Sequence, residues 1–178
     1  QDYAGARDNY VYSYAVRLKN GQALQVHKPG QIDLMRVPQE QLMERSAYEF
    51  FTGLDANGEP IWSSDVEARM PVFEDGNGVG CNVSVSYNAG LGRYVLMTKH
   101  TESFEGNLGI FGAPEPWGPW TTVYDDDLWS SDGWMIHHKF PTAWMSADGR
   151  TLWKLPGAKG YGIVNPPDVF VAGGVVWY

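Results

Sequence analysis

Short apolar runs broken by turn residues recur along this chain, and each reads as a β-strand. The clearest is Asn82 to Tyr87, where Val83 and Val85 alternate with Ser84 and Ser86 as a half-buried strand requires. A first set of four runs covers Asn9 to Val16, Gln31 to Val37, Tyr48 to Thr52 and Pro60 to Ser63. The turn Asp55-Ala56-Asn57-Gly58 joins its last two members through the positive φ that Asn and Gly tolerate. Between the second and third, Pro38-Gln39-Glu40-Gln41-Leu42-Met43-Glu44-Arg45 places a proline at a first helical position with good helix formers behind it, so one short helix is expected. The plan then restarts with Asn82 to Tyr87, Arg93 to Thr98, Asn107 to Phe111 and Thr121 to Tyr124. A third start follows with Thr142 to Ser146 and Thr151 to Leu155 around Ala147-Asp148-Gly149-Arg150.

A strand plan that restarts without repeating residues predicts an all-β fold, read as a partial β-propeller of two four-stranded blades plus part of a third. The chain is expected to be a single domain over 1–178, with blade-like units at about 9–63, 82–124 and 140–178. A β-sandwich explains the same strands and is the other architecture the pattern allows. The run Ala113-Pro114-Glu115-Pro116-Trp117-Gly118-Pro119-Trp120 excludes helix and central strand, yet holds two tryptophans that are costly to leave in water. It is expected to be a rigid packed connector, with Trp117 and Trp120 wedged between blades and Glu115 accepting backbone N–H bonds inside it.

Composition narrows the picture. The chain has 43% hydrophobic and 14% aromatic residues, enough for a substantial core, and 21 Gly with 11 Pro suit many short strands. A formal net charge of -8 and a pI near 4.8 argue against nucleic acid or an anionic membrane as partner, because binding phosphate needs concentrated basic charge. The run Asp125-Asp126-Asp127 lacks the alternating spacing of a calcium loop and reads as a solvated turn. Cys81 is the lone cysteine, which leaves no intrachain disulfide. No apolar run reaches the length of a membrane span, and no secretory leader is read at Gln1. No metal and no cofactor are expected: His137-His138 cannot both face one ion from a strand, and Asp75-Gly76-Asn77-Gly78-Val79-Gly80 precedes no helix that would make it a nucleotide loop.

Several segments carry a family resemblance. Asp2 to Tyr12, Tyr48-Glu49-Phe50-Phe51-Thr52-Gly53, Ser86 to Tyr94, the proline and tryptophan connector and Phe140 to Ser146 resemble, in order and spacing, a bacterial family built on a domain long labelled as of unknown function. The resemblance covers about Asp2 to Trp153. It implies a five-bladed propeller related in architecture to glycoside hydrolases, among which some relatives are endo-D-arabinanases. It also implies that this chain corresponds to the later blades, with hydrolytic carboxylates expected in blades it lacks, and it favours a secreted or periplasmic location. The expected function is therefore a carbohydrate-active propeller of glycoside hydrolase type acting on a polysaccharide or oligosaccharide. A non-catalytic carbohydrate-binding or assembly module is the alternative. Self-association, or completion by further blades, is expected of an open ring.

In a propeller the loops entering each innermost strand and those between second and third strands gather on one face. That face would collect Arg7 and Asp8, Cys81 and Asn82, and Phe140, Pro141 and Thr142, with Glu40 and Glu44 from the expected helix and Lys99, His100 and Glu102; Trp144 lies on the third inner strand. Glycoside hydrolysis uses two carboxyl groups flanking the bond, and Asp8 with Glu102 are the expected catalytic pair. Arg7, Asn82, His100 and Trp144 are the expected substrate contacts. Arg7 suits a hydroxyl pair or a carboxylate in a sugar, His100 can donate or accept a proton near neutral pH, and Trp144 offers a ring to a sugar face. Five of them also have a structural alternative: a loop brace for Arg7, an ion pair or backbone hydrogen bond near Arg7 for Asp8, a solvated loop acid for Glu102, a single hydrogen bond for His100 and core packing for Trp144.

Overall fold

The computed structural model describes residues 7–19, 21, 25–80, 83–101 and 107–126, with the backbone of two further short strands at 170–172 and 175–177. The first sheet is built from β1 (Tyr10–Val16), β2 (Gly30–Pro38), β3 (Glu49–Leu54), β4 (Pro60–Ser63) and β5 (Pro71–Asp75). The second is an antiparallel meander of β6 (Ser84–Asn88), β7 (Arg93–Thr98), β8 (Leu108–Ala113) and β9 (Thr121–Asp126). β10 (Phe170–Ala172) and β11 (Val175–Trp177) pair with each other. The fold is all-β, and among the described residues no helix reaches seven residues.

The short helix expected over Pro38 to Arg45 does not form. Pro38 ends β2 with extended backbone, and the segment turns through two 3-10 pieces, Gln39–Gln41 and Arg45–Ala47. Neither piece buries a residue, and Met43 is 97% exposed. A helix that short, with no apolar face docked on anything, lacks what stabilises helices in proteins.

β2 organises the first sheet. One flank pairs with β1 along seven residues, from Tyr10 against Pro38 to Val16 against Ile32. Its other flank is shared: Met35 and Arg36 pair with β3, and Gly30 to Asp33 pair with β5. The hairpin of β3 and β4 therefore projects from a strand position that β5 completes, and the Met70 amide bonds to the Phe51 carbonyl where the two meet. The hairpin turns at Asp55, whose carboxylate accepts the Asn57 and Glu59 amides.

The two sheets pack face to face. Ile32, Leu34, Phe51, Val72 and Phe73 of the first meet Leu96 and Phe111 of the second in one buried cluster. Phe73 and Phe111 sit edge to face with centroids 4.6 Å apart. The connector closes this interface: Trp117 lies edge-on to Trp62, Trp120 to Phe73 and Tyr14, and the Pro116 carbonyl accepts the Tyr14 hydroxyl at 2.8 Å. The opposite face of the second sheet buries Val95, Met97, Leu108 and Ile110.

Facing strands run in opposite senses. The segment entering β1 reaches the connector and the β6–β7 hairpin, since Arg7 bonds to Pro114 and Glu115 and lies over Tyr87 and Tyr94. At the other end, the turn leaving β5 joins the exit of β7: the Gly80 amide bonds to Lys99 and the Thr101 amide to Asn77. β1 thus ends where β6 begins.

Candidate functional site

The end of the interface where β1 starts is open and chemically rich. Asp8 precedes β1, and its two carboxylate oxygens do different jobs. Oδ1 accepts the Tyr10 amide at 2.9 Å, and Oδ2 accepts the Tyr12 hydroxyl at 2.7 Å. Tyr12 lies directly across from Arg36 on β2, and Arg36 across from Glu49 on β3. Cross-strand partners share a face, so the three side chains form a row. Arg36 Nε donates to Glu49 Oε2 at 2.8 Å. Its guanidinium is also held between two rings, 4.3 Å from the centroid of Tyr10 and 4.2 Å from that of Trp62.

Across the same opening, Arg7 donates to both oxygens of Glu115, at 2.9 and 3.0 Å, and to the Pro114 carbonyl at 2.9 Å. This fork-to-fork pair is half-exposed, with side chains 39% and 36% accessible. The Glu115 hydrogen bond raises the Arg7 pKa. Burial, followed by the bond to Asp8, holds the Tyr12 phenol well above its ordinary value, while Arg36 pulls the other way. The opening therefore presents two arginine–carboxylate pairs, an acid–phenol pair and several ring edges within one half-buried setting. On the other face of the first sheet, Leu42, Met43, Tyr48, Phe50 and Val66, with Arg45 and Ser64, line a depression of about 390 Å³.

The opposite end of the interface holds a buried polar group. Thr98, Lys99, His100 and Asn107 are all nearly inaccessible. His100 Nε2 approaches Asp125 Oδ1 at 2.7 Å, an ion-pair distance without hydrogen-bond alignment, and Nδ1 lies 2.7 Å from the Thr101 hydroxyl. Gly109 makes room for the imidazole, because a Cβ there would stand 3.2 Å from its Cδ2 and 2.8 Å from the Phe111 ring. Thr101 takes a positive φ of 64°. Asn77 Nδ2 reaches Asp125 at 3.4 Å, so the group also ties one sheet to the other.

The residues expected to share one face are divided between these two ends. Arg7 and Asp8 stand at the opening, beside Tyr94 near the start of β7. His100 stands two residues beyond the end of β7, about 20 Å away at the usual rise per residue. The opposed strand senses cause this separation. Asn82, Glu102 and Trp144 lie outside the described residues, as do Cys81, His137-His138 and the hairpin expected at 142–155. Glu115 departs from its expected role: its carboxylate binds Arg7, and only its backbone carbonyl serves the connector, accepting the Gly118 amide. Tyr12, Arg36 and Glu49 were not singled out from the sequence. Their signal was the period-two placement of Tyr10 and Tyr12 on β1, which leaves the pairing with β2 unspecified.

Among the described residues no cluster of three or more His, Cys, Asp or Glu could hold a metal ion, and no helix is long and apolar enough to cross a membrane. Fold and opening together define an all-β domain of two face-packed antiparallel sheets with an aromatic, ion-paired rim. Residues 2–127 match the model of a domain of unknown function, DUF4185, and the chain belongs to that family. No curated protein matches it.

Proposed function

We propose that this chain is a carbohydrate-recognition domain whose site is the opening around Tyr10, Tyr12, Arg36 and Glu49. The observation that carries this reading is the row of half-buried ring edges interleaved with paired arginines and carboxylates at one accessible end. Sugars combine weakly apolar ring faces with hydroxyls that donate and accept at once, so they suit aromatic surfaces flanked by oriented ionic groups. The arginines are already matched by carboxylates, which favours hydroxyl pairs over a free anion as ligand. The partner class in this reading is a polysaccharide or oligosaccharide. The hydrolytic form, with Asp8 and Glu102 as the carboxyl pair, is the second reading, favoured by the exposure of Asp8 at the opening.

Five-bladed propeller architecture belongs to the same proposal. Two four-stranded layers packed through an aromatic connector support it, and the opposite senses of β1 and β6 count against a simple repeat of blades. Light scattering over the micromolar range tests the accompanying expectation of self-association. Calorimetric titration with neutral oligosaccharides, arabinan fragments among them, tests recognition. Glu49→Gln and Tyr10→Ala are expected to weaken binding about tenfold each, the equivalent of about 1.4 kcal/mol, with melting temperatures close to the parent. Unchanged affinity in both variants would remove the site from this opening.

A further inference from the structure

The depression on the other face of the first sheet has a chemistry of its own, separate from the opening at the start of β1. β3 supplies Phe50, the loop between β2 and β3 supplies Leu42, Met43 and Arg45, and the segment leaving β4 supplies Ser64 and Val66. We propose that this depression binds a small aromatic monocarboxylate, with its ring among Met43, Tyr48 and Phe50 and its carboxylate held by Arg45 and Ser64.

The charge of the ligand follows from two unengaged donors. Arg7, Arg17, Arg36 and Arg69 are each held by a carboxylate, whereas the Arg45 side chain makes neither an ion pair nor a hydrogen bond among the described residues. The Ser64 hydroxyl is also unengaged among them, although its neighbour Ser63 accepts the Asp65 amide at 3.0 Å. A guanidinium fork and a hydroxyl lining one depression can donate together to a planar carboxylate. Glu44 and Asp65 adjoin these donors in the chain, and their charges repel a second negative group. A monoanion is therefore favoured over a phosphate ester or a dicarboxylate.

The size and stiffness of the site favour a small ring compound. A volume of about 390 Å³ is in the range of small-molecule sites. Its lining is seven residues, against roughly 20–30 a side in a stable protein interface. The loop is also fixed in advance. The Glu44 amide bonds to the Gln41 carbonyl at 2.9 Å, the Ala47 amide to the Glu44 carbonyl at 3.0 Å, and the Tyr48 hydroxyl to the Leu42 carbonyl at 2.8 Å. Leu42 and Met43 are thus held at the surface, 44% and 97% exposed, in the same depression as the Tyr48 and Phe50 rings. A flat aromatic guest would cover the thioether and meet both rings, which an alkyl chain does less well.

The test uses the whole isotope-labelled chain with 2-naphthoate, its neutral analogue 2-naphthamide and the aliphatic octanoate as probes. 2-Naphthoate is expected to bind with a Kd of about 0.1 mM. It should shift the amide signals of Leu42 to Phe50 and of Ser64 to Val66 and leave those of Tyr10 and Tyr12 in place. Arg45→Gln should weaken 2-naphthoate about tenfold and 2-naphthamide less than about twofold. Met43→Ser, at a side chain already in water, should weaken both aromatic probes about threefold with an unchanged melting temperature. Equal affinity of the parent for 2-naphthamide, or tighter binding of octanoate, overturns the assigned class of ligand. The absence of shifts in the depression at about 5 mM 2-naphthoate overturns the site itself. Signals there that broaden with protein concentration alone also overturn it, and assign the face to contact between copies of the chain.

Discussion

Asp8 shows how much one side chain can fix. A carboxylate two residues before a strand commonly accepts the amide that opens it, and here the second oxygen is left to organise a tyrosine. Arg7 beside it is bound through residues more than a hundred positions away. Sequence reading could therefore single out Arg7 and Asp8 as polar residues at a strand entrance, but not their partners, because nothing local encodes contact with Glu115 or the register that sets Tyr12 against Arg36. Glu115→Gln should cost no more than about 1 kcal/mol by chemical denaturation, since both partners of this pair are more than a third exposed and water screens them. Tyr124 gives a pH test. Burial, followed by its bond to Asp126, pushes its phenol up to about 12 from an ordinary 10.0. A raised folded-state value means that its stabilising contribution is complete below pH 10.0 and disappears as the pH climbs from 10.0 towards 12. Urea midpoints taken across that window should fall less steeply for Tyr124→Phe than for the parent, and parallel curves would count against the shift.

At the scale of elements, alternation and turn chemistry located eight strands of the two sheets to within a few residues. Pro60–Ser63 and Arg93–Thr98 agree with the expectation at both ends. β5 escaped notice because it is short and opens on Pro71, a residue that a strand accepts at its first position but that does not announce one. The helix expected after Pro38 failed for the complementary reason: local propensity favoured it, and no apolar stripe gave it a surface to dock on. Gly30 illustrates a requirement invisible to either kind of reading. It begins β2 where the chain leaving β5 crosses closely, and a Cβ at this position would stand 2.1 Å from the Val79 amide nitrogen. Gly30→Ala should force the His27 and Val79 backbone pair apart and destabilise the protein by about 1–3 kcal/mol. Its readout is faster amide exchange at Val79, and unchanged protection there would contradict the close approach.

For the whole molecule, the connector is the feature that makes two sheets one body. Its tryptophans were legible from composition alone, since prolines ruled out regular structure and the rings had to be buried somewhere. Their partners were not, because a repeat of strand plan says nothing about the sense in which one sheet faces the next. Trp120→Ala removes a ring shared by Phe73 and Tyr14 and should cost about 3 kcal/mol or more. Fluorescence and circular dichroism should then report one common, lowered transition; two separated transitions would show that the sheets unfold independently. The same arrangement sets a schedule for synthesis. All five strands of the first sheet are complete in sequence once Asp75 is made, and they clear the ribosome ahead of the connector rings Trp117 and Trp120 that roof part of their apolar side. During that interval the nascent chain carries an aromatic surface whose cover is incomplete, and pauses in translation between those points are where misassembly would begin.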